Sequence, residues 1–358
     1  MSGLITIALI FLVFMIIYQI AKASEYAAIL RGEEKINARV NRTMAWLLVI
    51  VFVLGLWGIW ECHVLLRDKM LPVSASVQGE SYDLMFNITT LITGVVFLIT
   101  QTLLFWFCFR YQASEKNKAS FYYAHNNKLE LIWTTIPAIA MASLVAVGLR
   151  NWVAITSEAP KDAAVVEVVG KQFNWIVRYP GKDNALGKRD FRKINDANNV
   201  LGLDWNDKAN MDDVISQSGE LHLVVNKPVK LVIGSRDVIH DVGLAHFRLK
   251  MDAVPGIVTT LWFTPKYTTK QMKEITGNPN FVYEISCDQM CGKGHYAMRG
   301  TIIVETQGEH DAWLAAQGSY SAANNPAVAP AAPAGTEAAP ANQQQEIKTD
   351  SVKAITMK

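Results

Sequence analysis

The chain has 358 residues, of which 51 % are hydrophobic and 18 % charged, with a formal net charge of +2. That length allows more than one domain, and the near-neutral charge excludes a binder of nucleic acid driven by bulk charge. Only four cysteines occur, and no C-x-x-C-H motif is present, so a covalently attached haem c is not encoded.

The apolar residues gather towards the N-terminus. Segments 4–21, 45–66, 88–109 and 131–149 each approach the roughly 20 residues needed to span a bilayer as a helix. The first has no Lys or Arg before it and no clean small-residue cleavage site after it, so we read it as a retained helix rather than a signal peptide. Cys62 and Cys108 lie in these apolar runs and read as small buried hydrophobes. The loop 22–44 carries Lys22, Arg31, Lys35, Arg39 and Arg42, and the loop 110–129 carries Arg110, Lys116, Lys118 and Lys128. Loop 67–87 holds only Arg67 and Lys69. The positive-inside rule puts the first two loops in the cytoplasm, both termini outside, and everything after about residue 152 outside with them. His125, in the second basic loop, reads as a solvated side chain.

From 163 to 306 the chain changes character. AVVEVVG, FNWIVRY, LHLVVN, VKLVIGS, TTLWFTP, FVYEIS and TIIVET are short β-branched or aromatic runs separated by turn residues, the pattern of a β-sandwich or barrel. Residues 182–216 are polar without a clear period and read as a long insertion between strands, available to a partner. His222 reads as a core or solvated histidine without a partner. Phe173 and Trp175 share a run of aromatic residues, and two-residue spacing puts them on one strand face.

The stretch CDQMCGKGHYAM, residues 287–298, places Cys287, Cys291, His295 and Met298 together. Thiolate and thioether select copper over hard cations, and His with a weak Met is the ligand style of electron-transfer copper. A second cysteine allows two sulfurs to bridge two metals. A disulfide or a zinc site would also use this pair. A further imidazole is needed, and His240, after the strand-like run LVIGS, is the first choice, with His246 in reserve. From about 318 the sequence becomes rich in Ala, Pro, Asn and Gln, too poor in apolar surface to offset ordering entropy. It reads as a disordered tail.

The motif C-x3-C-x3-H-x2-M with an upstream D-V-I-H resembles subunit II of the haem–copper cytochrome c oxidases. LELIWTTIPAI (129–139), GKQFNWIVRYPG (170–181) and SRDVIHDVGLAHFRLKMDAVPG (235–256) are similar to the family in the same order, over roughly 88–306. The resemblance implies membrane helices, four by our reading, followed by an all-β, cupredoxin-like Greek-key barrel. In domain terms it implies a hairpin at 88–152 and a copper domain at 153–317, after which composition alone marks the tail at 318–358. Residues 1–87, with two extra helices, are an extension on which the resemblance is silent.

The resemblance also implies a dinuclear copper centre. Cys287 and Cys291 would bridge, His240 and His295 would each bind one copper, Met298 would bind weakly, and the backbone carbonyl of Gln289 would complete the set. The family usually has Glu at Gln289, where it helps bind magnesium at the junction with subunit I. Magnesium prefers carboxylate and water oxygens, so that site is doubtful here. Phe173 stands where the family has a Trp that receives electrons from cytochrome c, with Trp175 beside it. Glu130 falls on the family's Glu at the mouth of a proton channel, and Asp252 on an acidic position near the donor-docking face. Read by charge alone, Glu130 is simply a favourable helix N-terminal carboxylate, and Asp252 a turn residue before Pro255 and Gly256.

The resemblance therefore implies a multi-pass subunit of a bacterial inner-membrane oxidase, its copper domain facing the periplasm. It would take electrons from cytochrome c and pass them to haem in subunit I, where oxygen is reduced to water with proton translocation. Partners would be subunit I, the other oxidase subunits, lipid, and either a soluble cytochrome c or a membrane-bound or fused cytochrome c domain. Phe173 and the extra helices favour the second kind of donor. Quinol oxidases typically lack the copper ligands, nitrous-oxide reductases add a propeller that is absent here, and a copper carrier would not need the LELIWTTIPAI helix.

Overall fold

The computed structural model describes residues 2–31, 33–67, 70–113, 123 and 125–325. Four long helices come first: α1 (Ser2–Arg31), α2 (Glu33–Leu66), α3 (Val77–Arg110) and α4 (Asn127–Thr156). Among the described residues, three stretches are long and apolar enough to cross a membrane: Ala38–Leu66, Val77–Arg110 and Asn127–Thr156. The first expected span, 4–21, lies within α1, where the side chains of residues 2–10 fall outside the described ones. The apolar side chains of these helices face outwards, as lipid-facing residues do, since hydrocarbon is as apolar as they are. Cys62 and Cys108 follow them and are exposed rather than buried.

Helix α3 starts eleven residues before the expected 88. Its N-cap, Ser76, accepts the Gly79 N–H at 2.9 Å and donates to the Phe247 carbonyl at 2.7 Å, satisfying an otherwise orphaned donor of the first turn. Asp83 and Glu80, one turn on, pair with Arg248 and Lys266 of the β domain. The extra turns are thus a membrane helix rising into the barrel and fastened to it. Gly79 has no room for a side chain, since a Cβ would lie 2.2 Å from Ser74 Oγ.

The β domain contains ten strands. One sheet has the order β3 (Val214–Ser216), β2 (Asn174–Tyr179), β1 (Ala164–Lys171), β5 (Val229–Ser235), β8 (Thr259–Phe263). The other has β4 (Glu220–Val224), β10 (Arg299–Glu305), β9 (Tyr283–Cys287), β6 (His240–Leu244), β7 (Leu249–Ala253). The β1–β5 and β10–β4 pairs are parallel and the rest antiparallel, so the chain passes repeatedly between sheets, as a Greek-key sandwich requires. Val168, Trp175, Val177, Leu223, Leu231, Ile233, Val242, Leu244, Phe263, Tyr283 and Ile302 fill the space between the sheets. Each large side chain withdrawn from water contributes about 1.5–3 kcal/mol.

The run AVVEVVG does not alternate because β1 is buried on both faces. Val166 and Val168 point into the sandwich, while Val169, with Ile176 of β2, joins a second cluster of Val200, Leu201, Leu203 and Tyr320. Val200, Leu201 and Leu203 belong to the insertion, which is a folded lobe. It lacks periodicity because its order comes from turns: Asp183, Asp190, Asn195, Asp204 and Asp207 each accept a backbone N–H two residues on, the Asx-turn mechanism. Beneath it, fully buried Arg178 bonds Glu167, Asp213 and Asn210, and Arg189 adds a second pair to Glu167. Burial pushes the Asp213 carboxyl up to about 6 against the pull of Arg178.

Two short helices, α5 (Thr269–Thr276) and α6 (Gln307–Ala316), start with reciprocal capping boxes. The tail does not begin at 318 as expected. Residues 319–325 form a cap and a helix, α7 (Tyr320–Asn324), with Tyr320 packed on the insertion and its hydroxyl accepting the Val200 N–H at 3.2 Å. Residues 326–358, the rest of the expected tail, lie outside the described residues.

Candidate metal centre

At the end of the barrel distant from α4, three connections converge: the β1–β2 turn, the start of β6 and the β9–β10 connection. His240 is the first residue of β6 rather than part of a loop after β5, and it is fully buried. Its Nδ1 lies 3.8 Å from Cys287 Sγ. The two sulfurs are 3.7 Å apart, far beyond the roughly 2.05 Å of a disulfide. His295 Nδ1 is 3.7 Å and Met298 Sδ 3.9 Å from Cys291 Sγ, while the Gln289 carbonyl is 3.2 Å from Cys287 Sγ. Six residues separated by up to 58 positions thus direct two sulfurs, two imidazole nitrogens, a thioether and a carbonyl to one spot.

This donor set fits a soft metal. Metal–thiolate bonds of about 2.3 Å can be made to both sulfurs at once across 3.7 Å. Of the remaining donors, His240 lies against Cys287, and His295 and Met298 lie against Cys291. Burial, then hydrogen bonding and charge from Cys287, raises the Cys291 thiol to about 11. Metal uptake must therefore expel protons.

The second layer was not anticipated from sequence. Asp237 Oδ1 sits 2.8 Å from His240 Nε2 and directs the Nδ1 lone pair at the sulfurs, the usual carboxylate–imidazole arrangement behind a metal ligand. Burial opposes ionisation of Asp237, but the Gln172 N–H and His240 outweigh it and hold the carboxyl below its ordinary range. The Gln172 side chain donates to the Cys291 carbonyl at 2.6 Å. Gly170 is required on β1, since a Cβ there would lie 2.6 Å from His240 Cδ2. The signal that could have revealed Asp237 is its place three residues before a ligand histidine.

Phe173 is partly exposed and leans over the loop between Cys291 and His295, where Cβ atoms at Gly292 or Gly294 would strike its ring. Trp175 does not share that surface. Phe173 lies in the turn before β2, out of phase with the strand, and Trp175 is fully buried with its ring edge-on to His240 at 6.1 Å. Val238, Ile239, Met290 and Tyr296 are also exposed, as are the polar Asp288, Gln289 and Lys293 of the β9–β10 connection.

The other expected residues lie elsewhere. His246 packs edge-on against Phe281 and Tyr283 below the site, and burial lowers its pKa. Asp252 is exposed on β7, opposite Asp241 of β6; burial first, and Asp252 second, push the Asp241 carboxyl up to about 7. The Gln289 side chain is exposed and offers a neutral amide, so the chemistry of that position does not fit a magnesium ligand as a carboxylate would. Glu130 occupies the first turn of α4, its carboxylate accepting the Asn126 N–H at 3.3 Å. His125 is exposed. His222 does have partners, Glu305 and Trp313.

Residues 65–150 match the family model for the cytochrome c oxidase subunit II transmembrane domain, and residues 164–306 match that for its periplasmic domain. The alternative cytochrome c oxidase subunit 2 of Bradyrhizobium diazoefficiens is 37 % identical over 235 residues, covering 66 % of this chain and 79 % of that one. Cytochrome c oxidase subunit 2 of Thermostichus vulcanus is 27 % identical, covering 75 % and 84 %. The crystal structure of the periplasmic domain of subunit II of cytochrome oxidase of Bradyrhizobium japonicum superposes with a TM-score of 0.30 and 25 % identity, over 44 % of this chain and 95 % of that one.

Proposed function

The chain belongs to the cytochrome c oxidase subunit II family, and from that premise we propose that it takes electrons singly from a c-type cytochrome outside the membrane and passes them to haem in subunit I. The membrane helices and the matched periplasmic domain support a copper domain outside a bacterial inner membrane. The observation that carries the reading is the pair of unlinked sulfurs 3.7 Å apart with His240, His295 and Met298 around them. Two coppers bound there would supply a one-electron carrier.

The chain's own residues do the rest. Cys287 and Cys291 would hold the metal through their sulfurs. Asp237 fixes the His240 ring, and Gln172 fixes the Cys291 backbone, so little reorganises when charge arrives. Buried Met298 and His240 keep water from the inner side, while half-exposed His295 faces outwards. Phe173, partly exposed over the loop at Gly292 and Gly294, forms part of a contact surface for the donor. Trp175, lying against His240, stays inside and makes no such contact. Phe173 lacks an indole N–H, which favours a donor held nearby on the membrane over the usual docking of a soluble cytochrome c.

The test is electron paramagnetic resonance of the full-length protein loaded with copper. Hyperfine splitting shared over two equivalent coppers is the expected result; a single-copper pattern would overturn the dinuclear reading. Glu130 would admit protons from the cytoplasmic side to subunit I. Glu130→Gln keeps an acceptor for the Asn126 N–H and so preserves the helix start. It is expected to slow proton uptake by the assembled oxidase about tenfold, or ~1.4 kcal/mol of barrier, with the copper spectrum unchanged. Undiminished turnover would remove Glu130 from the proton path.

A further inference from the structure

Helix α2 lies outside the matched transmembrane domain except at its last two residues. It packs along α3, and the two helices run antiparallel. Trp46 meets Phe109 edge-on with ring centroids 5.0 Å apart, and Phe52 stacks on Phe105 at 4.9 Å. Val49, between the two ring pairs, is short, and a groove of about 260 Å³ remains there, with Trp106 and Thr102 on its α3 side. Apart from the Thr102 hydroxyl and two indole N–H groups, its lining is hydrocarbon. Trp46 and Trp106 are half-exposed at its mouth, so it opens towards lipid.

The first turns of α3 are fastened to the β domain through Ser76, Glu80 and Asp83. The groove lies near the other end of α3, in the leaflet remote from that domain. A rise of 1.5 Å per residue puts Phe52 about 15 Å from Arg42, half of a hydrocarbon core about 30 Å thick, so the groove stays within one leaflet. Arg42 stands four residues before Trp46, one turn nearer the membrane surface on the same helix face. Asn41 Nδ2 donates to the Ala113 carbonyl at 3.2 Å. That bond holds the start of α2 beside the end of α3 and brings Arg42 and Arg110 to one rim. Arg39 adds a third cation one turn further out. All three are exposed, and among the described residues none has a carboxylate partner.

An acyl chain can enter this gap, whereas a helix about 10–12 Å across is too wide. A filled gap also regains the dispersion contacts that an empty one forfeits. A basic rim over an apolar slot between membrane helices is the pattern that holds an anionic head group. A zwitterionic lipid would fill the slot but gain little from the rim.

We propose that the α2–α3 groove binds one anionic phospholipid, its acyl chain between the ring pairs and its phosphate at Arg42, with Arg39 and Arg110 beside it. Arginine suits this place because its apolar stem lies along the helix while the guanidinium reaches head-group level.

The test is native mass spectrometry of the full-length protein in detergent, titrated with dioleoyl phosphatidylglycerol and, separately, with dioleoyl phosphatidylcholine. One phosphatidylglycerol per chain is expected, bound about fivefold or more tightly than phosphatidylcholine, the factor one arginine contributes near a charged head group. Arg42→Gln should weaken phosphatidylglycerol about fivefold and leave phosphatidylcholine unchanged. Val49→Trp should fill the groove and remove both. Lys128→Gln, at the start of α4 on the same side of the membrane, should bind as the parent does. None of these three positions is buried and the ring pairs are kept, so the helices stay assembled in every variant. Equal affinity for the two lipids, equal losses in Arg42→Gln and Lys128→Gln, or lipid retained by Val49→Trp would each overturn the site. So would a purified oxidase without phosphatidylglycerol where the free chain binds it, because another subunit would then cover the groove.

Discussion

Replacing Cys291 with Ser is expected to remove the shared two-copper signal and to lower oxidase turnover with a c-type cytochrome about 100-fold or more. Changing only the groups behind a metal ligand already alters affinity or activity 10–100-fold, and Cys291 is nearer the centre than any of them. Its sulfur is within 3.7 Å of both Cys287 Sγ and His295 Nδ1 and 3.9 Å from Met298 Sδ, so one substitution disconnects three donors. A serine oxygen is also a harder ligand, which disfavours copper relative to thiolate. Met298→Leu is the informative contrast. It removes a weak ligand while keeping apolar volume, so the shared signal should persist with altered splitting, and turnover should fall far less. Equal loss in both variants would mean that packing, not the sulfur bridge, sets the signal. The thermal stability of Cys291→Ser should stay close to that of the metal-free parent, because Ser fits where Cys was.

Much of the candidate donor cluster was legible because four of its side chains lie within twelve residues and the chemistry of sulfur narrows the metal they suit. His240 was legible as a choice between two histidines, and the structure separates them: His240 starts β6 on the inward face, whereas His246 lies six residues later beyond the end of that strand. Seven strands were readable from β-branched runs. The three not foreseen are β3, too short to show alternation, and β6 and β7, whose sequence HDVGLAHFRLKMDA mixes charge with apolar residues. Its charges sit on the face away from the core, where Asp241 meets Asp252. The pairing of Phe173 with Trp175 failed for a local reason: two-residue spacing predicts a common face only inside a strand, and Phe173 is in the turn. Longer-range pairs were out of reach. His222 and Glu305 are 83 positions apart, and only the parallel β4–β10 register, Ile303 opposite His222, makes them neighbours.

The insertion gives the second large effect. Arg178→Met is expected to lower the unfolding free energy by about 3–5 kcal/mol, the usual cost of removing one partner from a buried ion pair. Arg178 is 1 % exposed and serves Glu167, Asp213 and Asn210 together. After the change Glu167 keeps Arg189, but Asp213 is left buried with no cation. The triple variant with Glu167→Gln and Asp213→Asn should recover most of the loss, because replacing the whole set removes the uncompensated charges along with the attraction. Urea denaturation measures the first effect and the recovery. Limited proteolysis locates it: cleavage of Arg178→Met should start within 182–213, since the Arg178 network and the Tyr320 cluster are what fix that lobe to the outer face of β1 and β2. The consequence reaches the metal centre. Asp196 of the lobe pairs with Lys171 and Arg236, the neighbours in sequence of Gln172 and Asp237, which hold Cys291 and His240. A loosened lobe should therefore broaden the copper signal without abolishing it. A signal as sharp as the parent's, in a protein measurably destabilised, would show that the second layer around the cysteines stands without the lobe.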